Sequence, residues 1–230
     1  MPQFDIANFV STLVIYMVVW LFAVSIHEAA HAWMSLKFGD DTAYQLGRVT
    51  INPIPHIDPL GTLILPLIGF MASYAPGAAA FPLIMWGKPT PVNPLRWRNK
   101  DVANVAVSLA GIAVNLIAAL AFAIVLRVLV AYEVFTVETI RTGFAGPAFT
   151  MMMSMIVLNV GLAVFNLLPL PPLDGGRALQ SFLPSSAAPL MDLLETYGFL
   201  ILVVLMMTGL LAAITGPLNR FILWLLFLGL

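Results

Sequence analysis

Trp20-Leu21-Phe22-Ala23-Val24-Ser25-Ile26-His27-Glu28-Ala29-Ala30-His31-Ala32-Trp33 lies inside an apolar run, residues 9–38, long enough to cross a bilayer. The reading of this stretch decides the fold class. An ionisable side chain at membrane depth costs about 2.5–3.5 kcal/mol even on the lenient insertion scale, so a glutamate flanked by two histidines needs a partner there. On a helix, His27 and His31 stand one turn apart on one face, where both imidazoles reach a single metal ion. Glu28 then sits beside them as a general base. The competing reading is a packing cluster of hydrogen-bonded polar side chains.

Composition extends this outward. The 230 residues are 61% hydrophobic and 9% charged, whereas soluble domains carry about 25% charged residues. The chain therefore reads as an all-α polytopic membrane protein, not a soluble domain with one anchor. A net charge of −1 gives no reason to expect nucleic acid. The absence of cysteine excludes disulfides, thiolate ligands and a cysteine nucleophile, so a metal must be held by nitrogen and oxygen. Residues 1–5 lack the basic region of a cleaved signal, and the first span is expected to stay.

Further apolar runs at about 102–131, 147–170, 189–215 and 217–230 bring the expectation to about five to six transmembrane helices. Residues 60–74 and 78–87 are apolar but interrupted by Pro66, Pro76 and Pro82, and read as a re-entrant or broken hairpin lining protein or a cavity. Residues 43–52 carry alternating and β-branched side chains and read as a short β element at the membrane edge, a candidate to pair with an extended substrate. If 60–87 re-enters, Lys37, Arg48, Lys88, Arg96, Arg98, Lys100 and Arg177 share one side, and Arg127, Arg141 and Arg220 the other. The positive-inside rule then puts the N-terminus outside and the His27–His31 pair towards the cytoplasm. Trp86 and Trp97 read as interfacial anchors.

The run at 147–170 delivers a second polar cluster to the same depth: Asn166-Leu167-Leu168-Pro169-Leu170-Pro171-Pro172-Leu173-Asp174-Gly175-Gly176-Arg177. A catalytic zinc takes three protein ligands and keeps one position open. Asp174 is either the third ligand, turned inward by Gly175-Gly176, or the cap of a following helix. Asn115 and Asn166 are candidates to donate a hydrogen bond to a developing oxyanion; for Asn115 the alternative is helix packing. His56, in Asn52-Pro53-Ile54-Pro55-His56-Ile57-Asp58-Pro59, either enters the site or sits in a surface turn bonded to Asp58.

HEAAHAW in a span together with NLLPLPPLDGGR resembles the site-2 protease family of intramembrane zinc metalloproteases. LGRVTINPIPHIDPLGTLILP (46–66), WGKPTPVNP (86–94) and LAGIAVNL (109–116) are similar to its compact prokaryotic branch without PDZ-like or CBS-like domains. The resemblance implies one zinc per chain held by His27, His31 and Asp174, with Glu28 as catalytic base. It also implies that Gly111 and Asn115, matching a GxxxN motif, lie near the active site. It implies a single metalloprotease domain over 1–230, with a catalytic core at about 9–180 and C-terminal helices at about 189–230. The substrates implied are single-span membrane proteins cut within or beside their spans, in a prokaryotic cytoplasmic membrane. A divalent-metal transporter also places ionisable residues and broken helices at mid-membrane, and a non-proteolytic scaffold is the other alternative.

Overall fold

The computed structural model describes residues 6–73, 85–143 and 145–228. The chain runs α1 (Ile6–Lys37), α2 (Thr42–Gln45), α3 (Leu65–Ser73), α4 (Lys100–Ala131), α5 (Val137–Thr142), α6 (Ala145–Asn166), α7 (Asp174–Gln180), α8 (Ala188–Met207) and α9 (Leu210–Phe227). Five of these, α1, α4, α6, α8 and α9, are long and apolar enough to cross a membrane. With 32 residues each, α1 and α4 measure about 48 Å at 1.5 Å per residue. That exceeds a hydrocarbon core of about 30 Å.

The core is a three-helix unit in which α4 packs against both α1 and α6. The buried side of α4 includes Ala103, Val107, Gly111, Asn115, Ala119, Ala123 and Leu126, spaced three or four residues apart. Mostly small side chains at that spacing let neighbouring helices approach closely. Trp20 and Ala23 of α1 and Ile156, Val160 and Ala163 of α6 are buried in the same core. Helices α8 and α9 pack on each other, and α9 closes against α6.

Two expectations are corrected. Residues 43–52 do not form a β element, and no strand occurs among the described residues. Local bonds absorb the backbone instead. Asp40 Oδ1 takes both the N–H and the hydroxyl of Thr42, opening α2. Asn52 N–H goes to Thr50 Oγ1, Ile54 N–H to Asn52 Oδ1, and Thr50 O accepts from His56. Side chains that bond the adjacent backbone in this way compete with a ladder. Near the C-terminus, the break between helices falls at Gly209, which takes φ +73°, not between the expected runs 189–215 and 217–230, and Pro217 lies inside α9. The last helix thus starts at Leu210 and has 18 residues.

The first half of the expected hairpin is helical, a wide turn at Pro59–Ile64 running into α3. Residues 74–84, which carry most of its second half, lie outside the described residues. Where the chain returns, Trp86 N–H donates to Gly61 O at 3.2 Å, and Thr62 Oγ1 donates to Trp86 O at 2.8 Å. Entry and exit therefore meet at one place beside α1, where Trp20 Nε1 also bonds Thr62 O.

A buried carboxylate ties this returning chain to the end of α1. Asp40, fully buried, accepts from Ser35 Oγ, from Thr42 and from Asn93 N–H. Trp97 is buried as well and donates its Nε1–H to Ser35 Oγ, so it is a packing residue and not an exposed anchor. Burial pushes the Asp40 carboxyl pKa up, but bonds from Asn93, Thr42 and Ser35 outweigh it and hold it below the usual carboxylate range. A depressed folded pKa gives stability that is full above the unfolded value, about 3.9, and lost as pH falls through the folded one. Asp40→Ala leaves several buried donors unpaired and is expected to cost about 2–5 kcal/mol. Thermal denaturation in detergent reads this, and the deficit should shrink as pH is lowered below about 4.

Candidate metal centre

His27 and His31 project from one face of α1 towards α4, where Gly111 makes room for them. A Cβ at Gly111 would stand 2.5 Å from His27 Cε1 and 2.6 Å from His31 Nε2. Asp174 reaches the same point from the first residue of α7. Its cap is Leu173, and the Asp174 side chain turns away from capping towards the histidines. Gly175 and Gly176 are required by the tight fold of the preceding chain: a Cβ on either would meet backbone atoms of 167–171 at 2.3 Å. The proline-rich stretch is thus wound directly over α7, which aims Asp174 inward.

The three donor atoms converge. Asp174 Oδ2 lies 3.0 Å from His27 Nε2 and 3.3 Å from His31 Nε2, and the two Nε2 atoms are 3.0 Å apart. All three residues are buried. The far side of each imidazole is engaged: His27 Nδ1 with Asn115 Oδ1 at 2.9 Å, and His31 Nδ1 with Val107 O at 2.7 Å. Both partners are acceptors, so each Nδ1 carries a proton, and a ring in its neutral form turns a bare Nε2 lone pair to the centre. Asp174 Oδ2 has no hydrogen-bond partner of its own. With both rings neutral, the form that binds a metal, the three facing acceptors repel unless a cation lies between them. Ligands about 2.1 Å from a tetrahedral zinc stand about 3.4 Å apart, close to the observed spacing. The donor set fits a divalent metal, with the outer hydrogen bonds such ligands use.

Glu28 is held next to this group by residues 86–94, a stretch to which the sequence reading gave no role in the site. Thr90 N–H donates to Glu28 Oε2 at 2.8 Å, and Thr90 Oγ1 donates to Glu28 O at 2.9 Å. In Pro89-Thr90-Pro91, Thr90 has the only backbone N–H, so the stretch has one backbone donor to give and Glu28 receives it. The flanking prolines were the available signal.

The remaining candidates separate. Asn115 is fully buried at the centre, with Oδ1 facing His27 and Nδ2 donating to Asn159 Oδ1. Asn166 ends α6, half-buried, with Nδ2 bonded to Leu162 O of its own helix. His56 is neither at the three-donor group nor in a surface turn. It is fully buried, its Nε2 meets Thr50 O at 2.9 Å, and its carbonyl accepts from Lys88 N–H. Asp58, the expected partner of His56, instead caps the following helical turn through the N–H groups of Leu60 and Gly61. Asn159, absent from the expected set, is fully buried beside Asn115.

Comparison with known proteins agrees with this geometry. The model of "Peptidase family M50" matches residues 14–209. "Putative zinc metalloprotease YwhC" of Bacillus subtilis strain 168 is 37% identical over 214 residues, covering 93% of this chain and 86% of the relative. "Putative zinc metalloprotease Rip2" of Mycolicibacterium smegmatis is 30% identical over 212 residues, covering 87% of this chain and 70% of the relative. Rip2 of Mycobacterium tuberculosis H37Rv is 30% identical over 167 residues, covering 71% of this chain and 55% of the relative. No solved structure matches the chain. A helix-borne His-Glu-x-x-His whose histidines meet a distant aspartate, and a family match across most of the sequence, agree: the chain is an integral membrane protein that belongs to peptidase family M50, the site-2 protease family.

Proposed function

We propose that this protein is an intramembrane zinc metalloprotease that hydrolyses peptide bonds within or beside the spans of single-span membrane proteins. The observation that carries the reading is the convergence of His27, His31 and Asp174, buried among spanning helices, with Glu28 beside them. His27, His31 and Asp174 hold the metal. Zinc, when bound, supplies Lewis acidity that polarises a carbonyl and brings the pKa of water from 15.7 towards about 7.

The chain's own residues do the rest. Glu28 takes a proton from the attacking water and passes it to the leaving amine. With Oε2 engaged by Thr90 N–H, its other oxygen is left to accept that proton. Asn115 is committed on both sides to His27 and Asn159, which favours a supporting role over contact with substrate. Asn166 is half-buried and keeps one amide proton beyond its bond to Leu162, which favours it as donor to the developing oxyanion. Gly111 keeps the space over both imidazoles clear. We read residues 1–230 as one domain in a prokaryotic cytoplasmic membrane, N-terminus outside and site towards the cytoplasm, on the distribution of lysine and arginine.

The test is metal content and cleavage of a generic single-span substrate by the purified protein in detergent. The expected result is one zinc per chain, cleavage that stops when a chelator strips it, and recovery on adding zinc. Failure to take up zinc overturns the reading.

A further inference from the structure

Asn159 is fully buried in the second half of α6, where an amide among apolar side chains is costly unless its polar atoms are used. Its Nδ2 donates to Met155 O at 2.8 Å, and its Oδ1 accepts from Asn115 Nδ2 at 2.9 Å. Asn115 in turn presents Oδ1 to His27 Nδ1 at 2.9 Å. The direction of this chain of bonds is set at its far end. A backbone carbonyl can only accept, so Met155 O demands the amide nitrogen of Asn159 and leaves Asn159 Oδ1 facing Asn115. That oxygen also only accepts, so Asn115 gives its nitrogen there and keeps Oδ1 for His27. Facing an acceptor, His27 carries its proton on Nδ1. Its Nε2 lone pair is then directed at His31 Nε2 and Asp174 Oδ2. A fixed backbone polarity at Met155 on α6 thus becomes a fixed tautomer at His27 on α1.

We propose that Asn159 is a positioning residue for metal binding: by fixing the amide of Asn115, it holds His27 in the tautomer a divalent cation requires. The inference rests on the reading of His27, His31 and Asp174 as a zinc site. His31 needs no such device, because its Nδ1 meets the carbonyl of Val107 directly. Without Asn159, Asn115 is free to rotate its amide by half a turn and offer N–H to His27 Nδ1. The imidazole proton then moves to Nε2, where it opposes the metal. Loss of an outer partner of a metal ligand typically costs about 10–100-fold in affinity.

The test is zinc affinity, by competition with a chromogenic chelator, on the purified wild type, Asn159→Leu, Asn159→Ser, Asn115→Asp and the Asn115→Asp/Asn159→Leu double variant. Asn159→Leu removes the acceptor and excludes water; Asn159→Ser is small enough to fold yet too short to reach Asn115. Both are expected to bind zinc about 10–100-fold more weakly, with kcat returning at saturating zinc and KM unchanged. In the Asn115→Asp background both side-chain oxygens accept, so the orientation no longer matters and Asn159→Leu should cost less than about 2-fold. A merely structural role would give the same loss in both backgrounds, and that result overturns the proposal. So does wild-type affinity in Asn159→Leu and Asn159→Ser. A wild type that binds no zinc overturns the zinc-site reading, and this inference with it.

Discussion

Glu28→Gln is expected to abolish peptide-bond cleavage, lowering kcat by at least about 10²–10⁴-fold, and to leave the zinc content at that of the wild type. The reasons are geometric. Glutamine is isosteric and keeps an oxygen for Thr90 N–H, so the returning chain at 85–93 stays docked on α1. The three converging donors come from His27, His31 and Asp174, so a metal held by them keeps its ligands. What disappears is the basic oxygen that would take the proton of water. Cleavage of a single-span substrate and metal analysis on the same preparation read the two effects together. The variant also tests the rival class. Metal transport needs ligands and a pathway but no proton acceptor within the two-histidine turn, so a transporter would tolerate this change. Retained cleavage would place the base elsewhere.

Much of this was legible in the sequence, for a physical reason. Span length and the pairing of His27 with His31 are properties of contiguous residues, and a helix converts four-residue spacing into one face without help from the rest of the fold. Asp174 could be reached only with a second consideration, the number of ligands a catalytic zinc takes, and its rival role as a helix cap needed the structure to resolve. The failures have a common cause. Val49, Thr50 and Ile51 carry strand propensity, but Asp40, Thr50 and Asn52 side chains satisfy the nearby backbone first. Pro217 is a helix breaker in water, whereas among membrane helices it is tolerated and Gly209 makes the break. His56 sits in a turn-like sequence, yet the return of Lys88 onto its carbonyl buries it. Asn159 and Asn166 look alike as single amides in one apolar helix. Only the pairing of α4 with α6 distinguishes them, by setting Asn159 against Asn115.

Asp174→Ala is expected to lose both zinc and cleavage, and the way it loses zinc separates it from Glu28→Gln. Removing a ligand costs more affinity than removing an outer partner, so the loss should exceed about 10–100-fold. Stability provides the readout without activity. A ligand that binds only the folded state adds about 4.1 kcal/mol at 1,000 times Kd. At the same zinc concentration, a site weakened 100-fold stands at only 10 times its Kd and gains about 1.4 kcal/mol. The zinc-induced rise in thermal midpoint should therefore collapse in Asp174→Ala and persist in Glu28→Gln, although neither variant cleaves. His27 and His31 remain in Asp174→Ala with their Nδ1 bonds to Asn115 and Val107 intact, so the loss reports the missing carboxylate and not a disordered pair of imidazoles. If Asp174→Ala kept the full zinc-induced rise, the Oδ2 atom that stands 3.0 Å from His27 and 3.3 Å from His31 would be a neighbour of the metal site and not a ligand.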